Sequence, residues 1–529
     1  MRVRRRRSGV NFTARIFDRM KYMKLKRVIS LAASLLCAAS LTLSSGASVL
    51  GDVYYSPTIS LSDALDYTQV YAYDGEKDKN TRAYILEYNP SSDETLPLVT
   101  CGGSVYGRKT LDTMIGYKLR DPNKLAAAVN ADFFSMKTGV PMGVVVEGGI
   151  VFSGPENENA FVITEDGAAS ITTADIKISM SVAGRGSLDI DYFNKYPTKY
   201  GTYLLNSFYG KTTASTLDSR EIVMKAEGDP YITPRGTVTA TVSEIRDGVS
   251  DTSIPSGCFV LSYAKTGTSG GDALLAALSV GDKITFTSNC TGLPENVRLA
   301  VGGGDVILRG GVYDEKLADE EHETLRNPRT AVGIRADGTV VFFACDGRRT
   351  GFSDGLTLAD LAAVMLEYGC VDALNLDGGG STTVVIGSDG IPKTVNRPTE
   401  GGQRKISNAI LFVNSDEYIA RDRLTVTPDT AAVLTGGSSA EFTASYDGAA
   451  VGIESLSAQL EERAAGSFAD GVFTSGNYVG ETKLTLRTEI GGRVISGEAE
   501  ITVVDRITAL TLGASNMKSG ETQTLSLSA

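Results

Sequence analysis

The chain has 529 residues, enough for two to four domains that each bury a core of their own. Its 63 acidic residues outnumber 51 basic ones, and the net charge of −12 argues against nucleic acid as a partner, because phosphate backbones demand a positive field. One histidine, His322, excludes any mechanism that needs two, so most acid and base work falls to carboxylates.

At the N-terminus, Lys24, Lys26 and Arg27 precede the apolar run from Val28 to Leu43, and Ser45-Gly46-Ala47 offers small residues for cleavage. Residues 1–47 therefore read as a signal peptide, with the true start at Met20 or Met23 as an alternative. The run is shorter than the roughly 20 residues a spanning helix needs, so no stable membrane span is expected after cleavage. The mature chain is expected to begin near Ser48 and to be secreted or held at the cell surface. Five cysteines remain, Cys101, Cys258, Cys290, Cys345 and Cys370. Their odd number and the lack of a close CxxC spacing argue against both a zinc knuckle and a full disulfide framework.

Residues 52–414 mix strands with a few helices and show no regular βα alternation, so an α+β domain is expected, strand-rich because the chain's 58 glycines and many short Thr, Val, Ile and Tyr runs read as strands with tight turns. Its first polar motif is Asn130-Ala131-Asp132-Phe133-Phe134, where Asn130 and Asp132 share one face of an extended segment and the aromatics pack. Pro141-Met142-Gly143 and the strand Val144 to Glu147 follow. The turn Gly302-Gly303-Gly304-Asp305 comes next, and then Asn327-Pro328-Arg329-Thr330, which sets a guanidinium before an apolar strand; its planar fork suits phosphate or carboxylate. The strand Val340 to Cys345 leads into the turn Asp346-Gly347-Arg348.

A helix is well specified after that. Thr357 can cap it, Asp360 stands three residues on, Leu358, Leu361, Ala362, Met365 and Leu366 share a face, and Gly369 ends it. The apolar strand Val371 to Leu376 then delivers Asp377-Gly378-Gly379-Gly380-Ser381-Thr382-Thr383. Glycines bring backbone N–H groups close to a ligand and can form an anion-binding nest; Asn375, Asp377 and Ser381 surround this one with polar groups. Arg404 and Ser407-Asn408 close the series.

Beyond Asn414 the texture changes to alternating strands with Gly/Ser turns about every ten residues, the pattern of a small all-β sandwich. Asp422-Arg423-Leu424-Thr425-Val426 is echoed by Asp505-Arg506-Ile507-Thr508-Ala509. Residues 420–504 are therefore expected to form an Ig-like module, and 505–529 the start of a second, truncated one. Spacing or adhesion, including contact with a cell wall, is their expected role.

The motifs Asn130 to Phe134, Asn327 to Thr330, Asp346 to Arg348, Asn375 to Ser381 and Arg404 with Ser407-Asn408, taken in that order, resemble the phosphodiester glycosidase family. The resemblance spans most of Val53 to Val413 and implies an α+β catalytic domain that hydrolyses a sugar-1-phosphodiester, such as an N-acetylglucosamine-1-phosphodiester or a related glycopolymer. A phosphate leaving group needs charge stabilisation more than protonation. Asp377 is accordingly the first candidate for a general base or water-positioning group, Asp132 the second, and Asp346 and Asp305 weaker ones. Arg329, Arg348 and Arg404 are expected to clamp phosphate, with Asn130, Thr330, Asn375, Gly378, Gly379, Gly380, Ser381 and Asn408 lining the site. No cofactor is required on this reading; a divalent cation on Asp132, Asp346 or Asp377 is the alternative. Attack at phosphorus and a noncatalytic wall- or glycan-binding role are the competing functions.

Overall fold

The computed structural model describes residues 48–506 except 199–200, 265–269, 314–324, 389–390, 416–423, 447 and 491–492, together with 511–513 and 526–528. The expected signal segment 1–47, His322 and most of 505–529 lie outside the described residues. Within them the protein is strand-rich, with three α-helices: α1 (Leu111–Lys118), α2 (Gly270–Ala276) and α3 (Leu358–Glu367).

Four sheets make up the N-terminal block. An eight-stranded sheet runs in the order Asp52–Tyr55, Leu65–Asp74, Lys79–Tyr88, Val340–Cys345, Arg329–Arg335, Cys370–Leu376 and Val306–Leu308, with Thr58–Ser62 on Leu65–Asp74. A five-stranded sheet is ordered Ile391–Thr394, Val384–Ser388, Leu125–Asn130, Ala409–Asn414, Thr95–Thr100. A second five-stranded sheet holds Asn159–Thr164 and Val297–Gly302, and a further eight-stranded sheet spans Asp175 to Thr291. Side chains from the first three share one core, in which Phe342 meets Phe161 edge-on at 5.7 Å and Phe412 at 5.5 Å.

Helix α3 covers the other face of the first sheet, against Ile85, Ala331 and Phe343. That double cover explains why Val340–Cys345 is buried at every position and reads as an unbroken apolar run. The helix begins with the expected capping box of Thr357 and Asp360, and Gly369 follows it at φ +79°, a conformation that suits glycine. The buried stripe differs at one edge: Leu366 is 48% exposed and Val364 is buried in its place. At about 100° per residue these two flank the stripe on opposite sides, and the sheet takes the Val364 side.

The C-terminal strands form three sheets around Phe442, Phe473, Leu484, Leu486 and Ile501. They seat on the first strands of the block. Tyr55 Oη lies 3.0 Å from Thr485 Oγ1, Gln459 Oε1 accepts from the Ser56 amide at 2.9 Å, and Arg487 Nη1 donates to Ser56 O at 2.9 Å. Tyr71 Oη donates to Glu461 Oε1 at 3.2 Å. All five described cysteines are free thiols. No helix among the described residues is long and apolar enough to cross a membrane.

Candidate active site

Strand ends from three sheets converge. Leu125–Asn130, Val297–Gly302 and Cys370–Leu376 deliver their C-terminal ends to the place where Arg329–Arg335 and Ala409–Asn414 begin. Asn130 ties the junction together: its Nδ2 donates to Asp377 O at 2.5 Å, while its Oδ1 accepts from the Thr383 amide at 3.0 Å and Thr330 Oγ1 at 3.2 Å. The Asp377 amide donates to Ala131 O at 2.9 Å, so the Asn130–Asp132 and Asp377–Thr383 segments are crosslinked in both directions. With its partners all from the protein, Asn130 acts as a clamp that positions the loop. Asn408 does the same for Asp132, accepting the Asp132 amide on Oδ1 at 2.9 Å.

Asp377 is half-buried at the mouth of the glycine loop. Burial pushes its carboxyl up to about 6, against the pull of the Ser381 hydroxyl, the Arg404 guanidinium and the Gly378 amide. The loop's glycines lie against two arginines, and Gly380 makes room for one of them. A Cβ on Gly379, which sits at φ +63°, would stand 3.5 Å from Arg348 Nη2, and one on Gly380 would collide with the Arg404 guanidinium. Arg404 Nη1 reaches Ser381 Oγ at 3.5 Å, and its Nε donates to Glu400 Oε1 at 3.0 Å. Arg348 adopts φ +58°, a conformation that costs energy outside glycine, and its Nε donates to Asn327 Oδ1 at 2.9 Å. Both Arg404 and Arg348 hold the Glu400 carboxyl below its ordinary value, Arg404 chiefly by direct hydrogen bonding.

Asp132 lies deeper. Its Oδ2 accepts the Gly143 amide at 2.6 Å, and its Oδ1 is buried with no hydrogen-bond partner. Burial raises its pKa, Gly143 N–H and Lys195 oppose the rise, and the Asp377 charge adds to it. Asn375 Oδ1 is likewise buried without a partner. Orphaned buried acceptors are costly, and both of these side chains lie against the Gly302–Gly304 turn, where a donor that is not part of the chain would complete them. Gly143 and Gly302 cross here at their Cα atoms, where a side chain on either would strike the other strand and crowd Asp132 Oδ2.

Other predicted residues are placed differently. Asp346 accepts Tyr84 Oη at 2.8 Å, Asn396 Nδ2 at 3.1 Å and the Arg397 amide at 3.0 Å, all from the protein. Asn396 Nδ2 also donates to Thr382 O at 3.0 Å, so Asp346 braces the back of the glycine loop. Arg329 turns its Nε to Leu356 O and its Nη2 to Leu325 O, at 3.0 and 3.1 Å, which anchors the chain entering its strand. Asp305 is exposed, and its carbonyl accepts the Asn375 amide at 2.9 Å. No group of three or more His, Cys, Asp or Glu is gathered as for a metal ion among the described residues.

Sequence reasoning missed Lys195, Asn157, Asn159 and Glu400. Lys195 is 1% exposed, and its ammonium caps the carbonyls of Pro141, Met142 and Gly143, which fixes the amide that binds Asp132. Burial pulls its pKa down, while the Glu156 and Asp132 charges push it back up. Asn157 Nδ2 and Asn159 Nδ2 donate to Gly303 O and Gly304 O at 2.5 and 2.9 Å and hold the Gly302–Gly304 turn over the site.

Residues 231–413 match the family model of the phosphodiester glycosidases. That span contains Arg329, Arg348, the Asp377 loop and Arg404 and stops short of Asn130 and Asp132, which the fold brings to it. Over 93 residues the chain is 33% identical to the SPbeta prophage-derived uncharacterized protein YomE of Bacillus subtilis, covering 18% of this chain and 14% of that one. Over 102 residues it is 35% identical to the N-acetylglucosamine-1-phosphodiester alpha-N-acetylglucosaminidase of Mus musculus, covering 17% of this chain and 19% of that one. The chain thus spans less than a fifth of the length of these curated relatives. A crystal structure of a hypothetical protein from Synechocystis superposes with a TM-score of 0.54 at 21% identity, over 68% of this chain and 64% of that one, a likeness of fold.

Proposed function

We propose, from the premise that this chain carries a domain of the phosphodiester glycosidase family, an enzyme family, that it hydrolyses the glycosidic bond of a sugar-1-phosphodiester. The observation that carries the reading is Asp377: a carboxyl pushed up to about 6 sits at the base of a glycine loop that two guanidiniums overhang. A carboxylate of that pKa can take a proton near neutrality, and Arg348 and Arg404 supply positive charge where an anion would leave.

In the proposed step Asp377 accepts a proton from water as the water oxygen bonds to the anomeric carbon. The bond between that carbon and the bridging oxygen breaks, and its electron pair departs with the phosphomonoester, which Arg348 and Arg404 stabilise. Donors on the sugar would satisfy the orphaned Asp132 Oδ1 and Asn375 Oδ1 and fix the ring. Asp346 and Asn130 position the loop. Residues 1–47 act as an export signal on this reading, so the reaction takes place outside the cytoplasm, and 420–504 is an Ig-like module that spaces the domain or holds it to a wall polymer. N-terminal sequencing of secreted protein should find a start near Ser48; recovery of full-length protein in the cytosol alone would sink the export reading.

Hydrolysis of a small N-acetylglucosamine-1-phosphodiester in ¹⁸O-water tests the bond assignment. Label is expected in the sugar and absent from the phosphate, with unlabelled sugar incubated in the same water to correct for anomeric exchange. Label in the phosphate would mean attack at phosphorus and a phosphodiesterase instead.

A further inference from the structure

Where the C-terminal strands meet the block they enclose a cavity of about 320 Å³, distinct from the glycine-loop site. Its walls come from both regions: Tyr67, Gln69, Tyr84, Lys393 and Arg397 on one side, Glu461, Lys483, Ser496 and Glu498 on the other. The volume lies at the lower end of the range for small-molecule sites.

The lining is mixed, with Ile59, Ile386, Val395 and Leu424 beside the polar groups. Tyr71 presents no open ring face, because Arg82 lies 3.6 Å from one and Tyr55 stacks at 4.7 Å. Gln69 Nε2 donates to Tyr67 Oη at 2.9 Å, which leaves the amide oxygen for a ligand hydroxyl. On the module side Lys483 pairs with Glu498 at 3.1 Å and Glu461 accepts from the neutral Tyr71 hydroxyl, which leaves one carboxylate charge there against the two cations of the block side. Neither the Lys393 ammonium nor the Arg397 guanidinium has a hydrogen-bond or ion-pair partner among the described residues. Arg397 stacks on Phe352 at 4.4 Å, which uses the face of the guanidinium and leaves its N–H fork open.

We propose that this cavity is a second binding site, for a phosphorylated saccharide unit of a glycopolymer, with Lys393 and Arg397 taking the phosphate and Gln69, Tyr67 and Ser496 the sugar hydroxyls. The site rests on the glycosidase reading in one respect, that a polymer with repeating sugar phosphates can occupy both places at once. It also borders the catalytic loop's support, because the Arg397 amide and Tyr84 Oη both bind Asp346.

The test compares the full chain with a Lys393→Ala/Arg397→Ala double variant on two substrates, a small N-acetylglucosamine-1-phosphodiester and a soluble sugar-phosphate polymer. Both side chains are exposed, and the amide that Arg397 gives to Asp346 survives the change. KM for the polymer is expected to rise roughly 10-fold, as for two lost phosphate contacts, with kcat and the small substrate unchanged within about 2-fold. Lys393→Gln alone should give a smaller rise in the same direction. Equal KM changes on both substrates, or none, would overturn the proposal. If the parent turns over neither substrate, the glycosidase reading fails, and equilibrium titration of the same polymer still decides the cavity: weaker binding by the double variant upholds it and equal binding removes it.

Discussion

Two Asp-Gly turns close buried strands in this fold, and they do opposite things. Asp346 follows Val340–Cys345 and has its carboxylate fully committed to Tyr84, Asn396 and Arg397. Asp377 follows Cys370–Leu376, two strands away in the same sheet, and two of its neighbours in the site, Asp132 Oδ1 and Asn375 Oδ1, lack partners. Burial raises the pKa of both carboxyls, so the shift alone does not separate them. What separates them is how fully the chain commits each: Asp346 is buried with acceptor bonds from Tyr84, Asn396 and Arg397, while Asp377 is half-buried and draws on the Ser381 hydroxyl and the Gly378 amide. A saturated carboxylate suits a structural part, and on the proposed reading the less committed one meets the substrate.

Exchanging each aspartate is the strongest way to break this contrast. Asp377→Asn is expected to lower kcat by roughly 10²-fold or more without lowering the thermal midpoint, since it removes a proton acceptor and keeps the shape. Full activity in that variant would remove Asp377 from the mechanism. Asp346→Ala should act on folding instead, with a stability loss of roughly 1–3 kcal/mol in denaturant titration, because it leaves the Tyr84 hydroxyl and the Arg397 amide unpaired. A stable Asp346→Ala protein with abolished turnover would put Asp346 in the chemistry and erase the distinction.

The pH profile sharpens it. If Asp377 is the base, kcat/KM falls as pH drops through about 6, where the carboxylate is protonated. Arg404 lowers that pKa, so Arg404→Gln should move the acid limb to higher pH and also raise KM, by about 10-fold if the phosphate contact is lost. An alkaline limb near 6 would instead make Asp377 the acid. The sign for stability runs the same way: a folded pKa above the unfolded one means that ionising Asp377 costs stability as pH rises from about 4 to 6, a cost Asp377→Asn relieves.

The smallest effect is expected from deleting everything after Asn414. Small-substrate turnover should stay within about 2-fold, with a lowered thermal midpoint, because Tyr55 and Tyr71 lose Thr485 and Glu461. Loss of turnover at temperatures where the fragment is folded would show that the C-terminal strands belong to the catalytic unit.

Much of this was legible because it rests on local chemistry. The capping box of α3, the apolar strand before Asp377 and the glycine loop each have a mechanism visible within a few residues. The roles of Asn130, Asn408 and Arg329 were not, since a polar side chain in sequence does not say whether a ligand or a distant carbonyl will occupy it. Asn130 serves groups 200 to 253 positions away. Lys195 was invisible for the same reason: its partners are backbone carbonyls, which carry no residue signature, and nothing in Asn194-Lys195-Tyr196 announces burial. Glu400 sits four residues before Arg404, and that spacing was the one available hint.

The crossing of Gly143 over Gly302 sets a limit on how such a pocket can diversify. Neither position tolerates even a methyl group without driving two strands apart, so a directed-evolution library aimed at the floor beneath Asp132 would be spent on unfolded clones. Variation has room at the rim, where Arg348 and Glu400 are exposed and each can change size or sign at little cost to the core. On the proposed reading, new selectivity in descendants of this scaffold should therefore accumulate in the leaving group they accept, while the sugar they grip stays the same.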